Sequence, residues 1–219
     1  MDRPLDTATR NEPRIIDCGL ADYRQVLAQQ VELHAHRLAG QVPDTVLICE
    51  HPAVVTLGAR KTANKLLASP EQLASKGIDV VEVTRGGGTT AHNPGQLVFY
   101  PILDLRRRGL SAGQYVRTLE KIGLDLLGAL GLEAQTRKGL PGLWVGDRKI
   151  ASIGVRLSKG VAFHGMAVNI RNDLRIFDLL VPCGLDGVEM TSHLKETGQA
   201  CPMATAKARL AELLTGHLS

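Results

Sequence analysis

Three apolar runs in the second half of the chain, GLWV, KIASIGVRL and VAFHGMAVNI, follow one another with only Gly146-Asp147-Arg148 and Ser158-Lys159-Gly160 between them. No other feature constrains the fold as much. The runs have strand composition, and both breaks carry the small or turn-forming residues that hairpins need, so antiparallel pairing is built into this stretch. Upstream, RIIDC at 14–18, TVLICE, AVVTLG and IDVVEV read as further strands, with a tight connection at His51-Pro52 between the second and third. QLVFYPIL is another strand, and its Pro101, which has no N–H to give a ladder, predicts an edge position or a bulge.

Helical spacing appears in two long segments. Tyr23, Val26, Leu27, Val31, His34 and Leu38 recur on one face over 21–38. Val116, Leu119, Ile122, Leu126, Leu127 and Leu130 do the same further on, with Gly131 at the C-terminal cap position. Shorter helices are expected over 173–179 and 204–214. Strands outnumber helices and hairpins recur, which predicts an α+β single domain: a mixed β-sheet with flanking helices.

At 219 residues and 44% apolar content, the chain can bury one substantial core without metals or disulfides. No repeat or flexible linker divides it, so 14–219 is read as one catalytic domain and the polar stretch 1–13 as a disordered tail. That stretch has no apolar run to serve as a signal or anchor, and nowhere do the roughly 20 apolar residues of a membrane span occur together. Lys and Arg outnumber Asp and Glu by 26 to 22. With only 3% aromatic residues and no basic run longer than Arg106-Arg107-Arg108, nucleic acid is excluded as a partner. Cys18, Cys49, Cys183 and Cys201 form no CxxC pair, which fits reduced thiols in a cytosolic protein.

The most loaded loop is RGGGTTAHNPGQ, from Arg85 to Gln96. Gly86-x-Gly88-x-x-Ala91 formally matches a dinucleotide fingerprint, but Asn93-Pro94-Gly95 and a strand come next, where a helix must begin. There is no GK[ST], hence no P-loop. Three glycines in a row let backbone N–H groups approach a ligand, with Arg85 as a charge at the rim, so the loop reads as a ligand cradle. A long hairpin loop with glycines serving only its turns is the plainer alternative. His92, taken alone, reads as a structural hydrogen-bonding residue.

Cys183, in VPCGLDGVEMTSH, lies between proline and glycine in a turn that exposes a side chain. A thiol with a pKa near 8.5 is only a few per cent thiolate at neutral pH, so a nucleophilic role needs a cation or base nearby. Cys183 and His193 have no further ligands at zinc-like spacing, and no metal site is read. Lys149 opens KIASIGVRL, where strict alternation puts it on the apolar face with Ala151, Ile153, Val155 and Leu157. Such a lysine needs a partner, a shifted pKa or a route along its own stem to solvent.

RGGGTTAHNPGQLVFYP, GLWVGDRKIASIGVRL, FHGMAVNI and PCGLDGVEMTS, with EHPAVVTLG before them, stand in the order seen in the lipoyl(octanoyl) transferases. From about residue 14 to 210 the chain resembles that family, the octanoyl-[acyl carrier protein]:protein N-octanoyltransferases. The resemblance implies a fold similar to the biotin protein ligase and lipoate protein ligase catalytic domains, with a substrate tunnel. It implies that Cys183 carries an acyl-thioester and that Lys149 lowers the thiol pKa, as a cation or as a neutral base. It implies that Arg85, Gly86, Gly87, Gly88, Thr89, Thr90, Ala91 and His92, then Ser152, Ile153 and Gly154, then Gly165, Met166 and Ala167, line the substrate site. Ala91 departs from an expected aromatic and Asn93 from a frequent glycine, which bears on the shape of the acyl pocket.

The reaction so implied is ping-pong octanoyl transfer in the cytoplasm, without cofactor or metal. The donor is octanoyl acyl carrier protein. The acceptors are the lipoyl domains of dehydrogenase complexes and the glycine cleavage H protein. Three rivals make different predictions: an ATP-dependent lipoate or biotin ligase, a non-catalytic carrier-binding protein, and a cysteine hydrolase with His164 or His193 as base.

Overall fold

The computed structural model describes residues 12–185 and 187–219, and of Cys183 it describes the backbone but not the side chain. The first half runs β1 (Arg14–Leu20), α1 (Tyr23–Leu38), β2 (Thr45–Glu50), β3 (Val54–Leu57), α2 (Pro70–Ser75), β4 (Asp79–Glu82), β5 (Thr90–His92) and β6 (Gln96–Asp104). It continues with α3 (Ala112–Ala129), β7 (Gln135–Arg137), β8 (Leu140–Val145), β9 (Arg148–Ser158), β10 (Val161–Asn169), α4 (His193–Thr197) and α5 (Met203–Leu218).

Seven strands form one sheet in the order β1-β2-β6-β10-β9-β8-β7, and β4-β3-β5 form a second. The β8-β9-β10 hairpins pair as the sequence predicts. Among the strand pairs of the described residues, β1-β2 in the large sheet and β3-β4 in the small one are parallel and the rest antiparallel. The predicted strands on either side of His51-Pro52 are both present, but the short link carries the chain from one sheet to the other instead of closing a hairpin.

Alternation along the strands sorts the large sheet into two cores. Val46, Ile48, Leu97, Phe99, Met166 and Val168 face α3 and α5, while Leu47, Cys49, Val98, Tyr100 and Ala167 pack with Val26 of α1. Helices α1 and α3 start at side-chain caps: the Asp22 carboxylate accepts the Gln25 N–H at 3.0 Å, and Ser111 and Gln114 form a capping box. Gly131, with φ +81°, takes the left-handed position that ends α3. The expected helix over 173–179 is a 3-10 turn, Leu174–Leu179, and the last helix extends to Leu218. Among the described residues no helix is long and apolar enough to cross a membrane.

Two departures from the expected pattern shape the site. Pro101 does not lie at an edge: β6 is central, flanked by β2 and β10. The β6-β10 ladder keeps one register from Asn169 to Val161 but is interrupted at 163–165, opposite the proline that cannot donate. There His164 takes φ +57°, and a Cβ on Gly165 would stand 2.1 Å from the Phe99 carbonyl oxygen. In β9, Leu143 pairs with Ala151 but Trp144 with Lys149, so Ile150 is a bulge and strict alternation from Lys149 onward fails. Leu157, expected on the buried face, is 46% exposed.

Candidate active site

The glycine loop is held by its own arginine. Arg85 is buried, and its guanidinium donates to the carbonyl oxygens of Gly86 (3.1 Å), Gly88 (2.8 Å) and Thr56 (2.9 Å) and to the Thr56 hydroxyl (2.6 Å). The expectation of a charge at the rim is therefore corrected: the cation is turned inward and fixes the loop. The loop packs too closely for side chains, since a Cβ on Gly88 would lie 2.2 Å from the Ala63 carbonyl oxygen. The Gly86 N–H donates to Val155 at 2.9 Å, which fastens the loop to β9.

Between this loop and β9-β10 lies an inner cavity. Of the expected site residues, Arg85, Gly86, Gly87, Thr90 and His92 line it from the loop. Ser152, Ile153 and Gly154 line it from β9, and Gly165, Met166 and Ala167 from β10. Gly88, Thr89 and Ala91 do not. Thr89 accepts the Lys65 N–H at 3.0 Å, and Ala91 is fully buried with Val55, Phe177 and Met190 behind the small sheet. The departure at Ala91 thus bears on that core and not on the cavity wall. Asn93 likewise serves a loop contact, donating to the Asp173 carbonyl at 2.8 Å.

Sequence reasoning did not assign Tyr23, Val98, Tyr100 or His164 to this cavity, which they also line. Tyr23 stacks on His92 with ring centroids 5.6 Å apart, and the Tyr100 hydroxyl lies 2.9 Å from His51 Nε2. A signal was available for His164, a titratable residue in a strand otherwise made of apolar and small residues, across from a proline.

Gly86, Gly87, Ile153 and Gly154 also line a second, outer cavity, which Lys149 and Leu185 share. Lys149 is 2% exposed. Its ammonium nitrogen donates to the Pro141 carbonyl at 2.9 Å and lies 5.1 Å from the centre of the Trp144 ring, a cation–π arrangement. Gly142 makes room for the lysine stem, because a Cβ there would come within 2.9 Å of Lys149 Cε. The main chain of Lys149 also anchors the segment beyond the cysteine turn: its N–H donates to Glu189 at 2.8 Å and its carbonyl accepts from Thr191 at 2.9 Å.

Cys183 occupies a 3-10 turn, Pro182–Gly184, whose Gly184 packs so closely on Ala63 that a Cβ would lie 2.6 Å from the alanine Cβ. Its side chain lies outside the described residues. Two residues on, Leu185 lines the outer cavity with Lys149, so the turn and the lysine border one space. Cys49 is a core residue whose thiol is pushed above its usual range by burial. His193 spends its ring on the Leu130 carbonyl at 2.9 Å, at the end of α3.

Burial sets the charge of the inner cavity. The pKa of His92 is pushed down to about 3, by burial first and then by neighbouring His51, even though Gln96 pulls the other way. That of His164 is also pushed down to about 3, by burial and by the charges of Arg85 and Arg156. Both rings are neutral at physiological pH. Among the described residues, no group of three or more His, Cys, Asp and Glu side chains could hold a metal ion.

Comparisons with known proteins bear on the family and the fold. A family model described as the lipoyl protein ligase A/B catalytic domain matches residues 22–215. An octanoyltransferase of Syntrophobacter fumaroxidans is 47% identical over 185 residues, 84% of this chain and 81% of that protein. Among solved structures, a lipoate-protein ligase A bound with ATP superposes with TM-score 0.72 at 17% identity, covering 94% of this chain and 85% of that one. The biotin protein ligase of Aquifex aeolicus gives 0.55 at 12% identity, covering 94% and 69%. The two structures share the fold, and the closer sequence likeness narrows the group: the chain belongs to the family of the lipoyl protein ligase A/B catalytic domain and, within it, stands with the octanoyltransferases.

Proposed function

We propose that this protein transfers an octanoyl group from octanoyl acyl carrier protein to a lysine of lipoyl domains, in the cytoplasm, by way of a thioester on Cys183. The observation that carries the reading is a buried lysine, 2% exposed, bordering the same cavity as Leu185, the residue that follows the PCG turn. In the first step the Cys183 thiolate attacks the donor carbonyl, a new C–S bond forms, and the carrier's C–S bond breaks to release its thiol, which takes up a proton. A thioester replaces a thioester, so little free energy changes hands.

In the second step the acceptor amine attacks the acyl-enzyme. The amide forms, the Cys183 sulfur leaves as thiolate, and the amine gives up a proton. The amide is more stable than the thioester, so the transfer runs without ATP. Lys149 supplies the cation beside the thiolate, or the base for these protons, from a position fixed by Pro141, Trp144 and the bulge at Ile150. Acceptors are the lipoyl domains of dehydrogenase complexes and the glycine cleavage H protein.

The test is trapping. Wild-type protein mixed with octanoyl carrier protein gains one octanoyl mass without ATP, and Cys183→Ser forms no such thioester. Modification that requires ATP and is indifferent to Cys183→Ser would instead identify a ligase on the same fold.

A further inference from the structure

Trp144 is the single tryptophan of the chain and is 1% exposed. A regular ladder running on from Leu143 and Ala151 would set it opposite Ile150. The bulge puts Lys149 there instead, so indole and lysine become direct cross-strand neighbours on one face of the β8-β9 pair. Three consecutive residues of β8 then hold the two together. The Leu140 carbonyl accepts the indole N–H at 3.3 Å, the Pro141 carbonyl accepts from the Lys149 ammonium at 2.9 Å, and Gly142, at φ +120°, leaves the space that the lysine stem fills.

The same ring carries a second cation, Arg137, whose guanidinium carbon lies 4.7 Å from the ring centre. That charge has its own acceptors at the hairpin turn, the Asp147 carboxylate and, at 2.7 Å, the Gly146 carbonyl. Lys149, in contrast, borders the outer cavity together with Leu185. A buried ammonium can be held by a carboxylate, which also cancels its charge for any third group. An aromatic face holds it through the ring quadrupole, adds no net charge, and leaves its field open to an anion nearby. A neutral amine gains nothing comparable from the ring.

We propose that Trp144 is a positioning residue for acylation, whose ring keeps Lys149 as an ammonium at the wall of the outer cavity, so that the lysine assists the Cys183 sulfur as a cation and not as a neutral base. This rests on the transferase reading and decides between the two roles it allows the lysine. The thiol proton then passes to water before attack, the Cys183 sulfur bonds to the acyl carbon, and the departing carrier thiolate takes up a proton from water.

Because the chain has one tryptophan, growth on mono-, di- or trifluorotryptophan replaces this ring alone, drawing electron density from its face while nearly keeping its shape. Single-turnover acylation of Cys183 by octanoyl carrier protein, followed by mass at saturating donor, is expected to slow step by step along that series. It should slow about 10- to 30-fold in Trp144→Leu, with Trp144→Phe recovering most of the loss and the half-saturating donor concentration unchanged. A rate that is flat across the fluorinated series, equal rates in Trp144→Leu and Trp144→Phe, or a loss confined to the half-saturating concentration would overturn the assignment. The fluorinated proteins decide the matter if Trp144→Leu does not fold. Failure of the carrier to acylate wild-type Cys183 sinks the transferase reading instead. The contact is then read without turnover, since emission of the single tryptophan should shift in Lys149→Met, and an unshifted emission refutes it.

Discussion

The two faces of the seven-stranded sheet are made by alternate residues of the same strands, yet they differ in kind. Toward α3 and α5, aliphatic side chains from β2, β6 and β10 interlock with Leu119, Ile122, Leu126 and Leu127. Toward α1, the sheet meets a set of polar groups taken almost wholly out of water: Gln30, His51, Tyr100 and His164. One face can be filled by shape alone. The other must satisfy or deliberately leave open each donor and acceptor, and the inner cavity opens there. Stability and chemistry are thus divided by the period-2 geometry of a strand, with Lys149 displaced from that period by a bulge.

The division can be broken experimentally, and the largest effect is expected where chemistry meets packing. Lys149→Met keeps an unbranched stem beneath Trp144 and should fold, while acylation of Cys183 slows by about 10²- to 10⁴-fold. A mass-spectrometric time course beside a circular dichroism spectrum checks both halves, and an unchanged rate removes Lys149 from the mechanism.

On the aliphatic face the response should be opposite. Leu126→Ala deletes a fully buried side chain and is expected to cost about 2–5 kcal/mol in urea unfolding, with acylation by the folded fraction unaltered.

Acid should act through the polar face. His92 and His164 have folded pKa values of about 3 against 6.5 for a free imidazole, so below pH 6.5 the unfolded chain binds more protons than the folded one. Stability is therefore complete above about pH 6.5 and falls as pH drops toward 3, by about 2 kcal/mol per histidine between pH 7 and pH 5. Denaturation at the two pH values checks this, and His164→Gly should reduce the loss by about half. Equal stability at both would mean that these rings are not kept neutral.

The smallest effect belongs to Tyr100→Phe. It takes the hydroxyl from His51 Nε2 and should cost about 1–2 kcal/mol. A smaller cost would show that the Cys49 thiol, 3.3 Å from the same nitrogen, takes over.

Local chemistry made much of this legible in the sequence. The hairpin turns at Gly146-Asp147 and Lys159-Gly160 and the end of α3 at Gly131 come from short-range rules. The features that could not be read depend on partners far along the chain. Pro101 predicts an edge position or a bulge because a proline cannot donate; the strand is central, and the gap is absorbed by an irregularity more than 60 residues away, held by a glutamine of α1. Arg85 looks like a rim charge until Thr56 and the loop carbonyls are seen to enclose it. Strict alternation breaks down next to Lys149 because a bulge at Ile150 has no sequence mark of its own. Tyr23 and Tyr100 reach the cavity only through the packing of α1 on the sheet.

The anchoring of the chain around the cysteine turn has a geometric consequence. Val181 is tied to the Lys65 carbonyl and Thr191 to that of Lys149, so the span between them is a short bight moored at both ends, one mooring being the residue that bears the amine. Inserting residues into this bight would shift the PCG turn while the amine stayed where its strand holds it. Under the proposed mechanism, the length of the span then governs how far the thiol of the turn is carried from that amine.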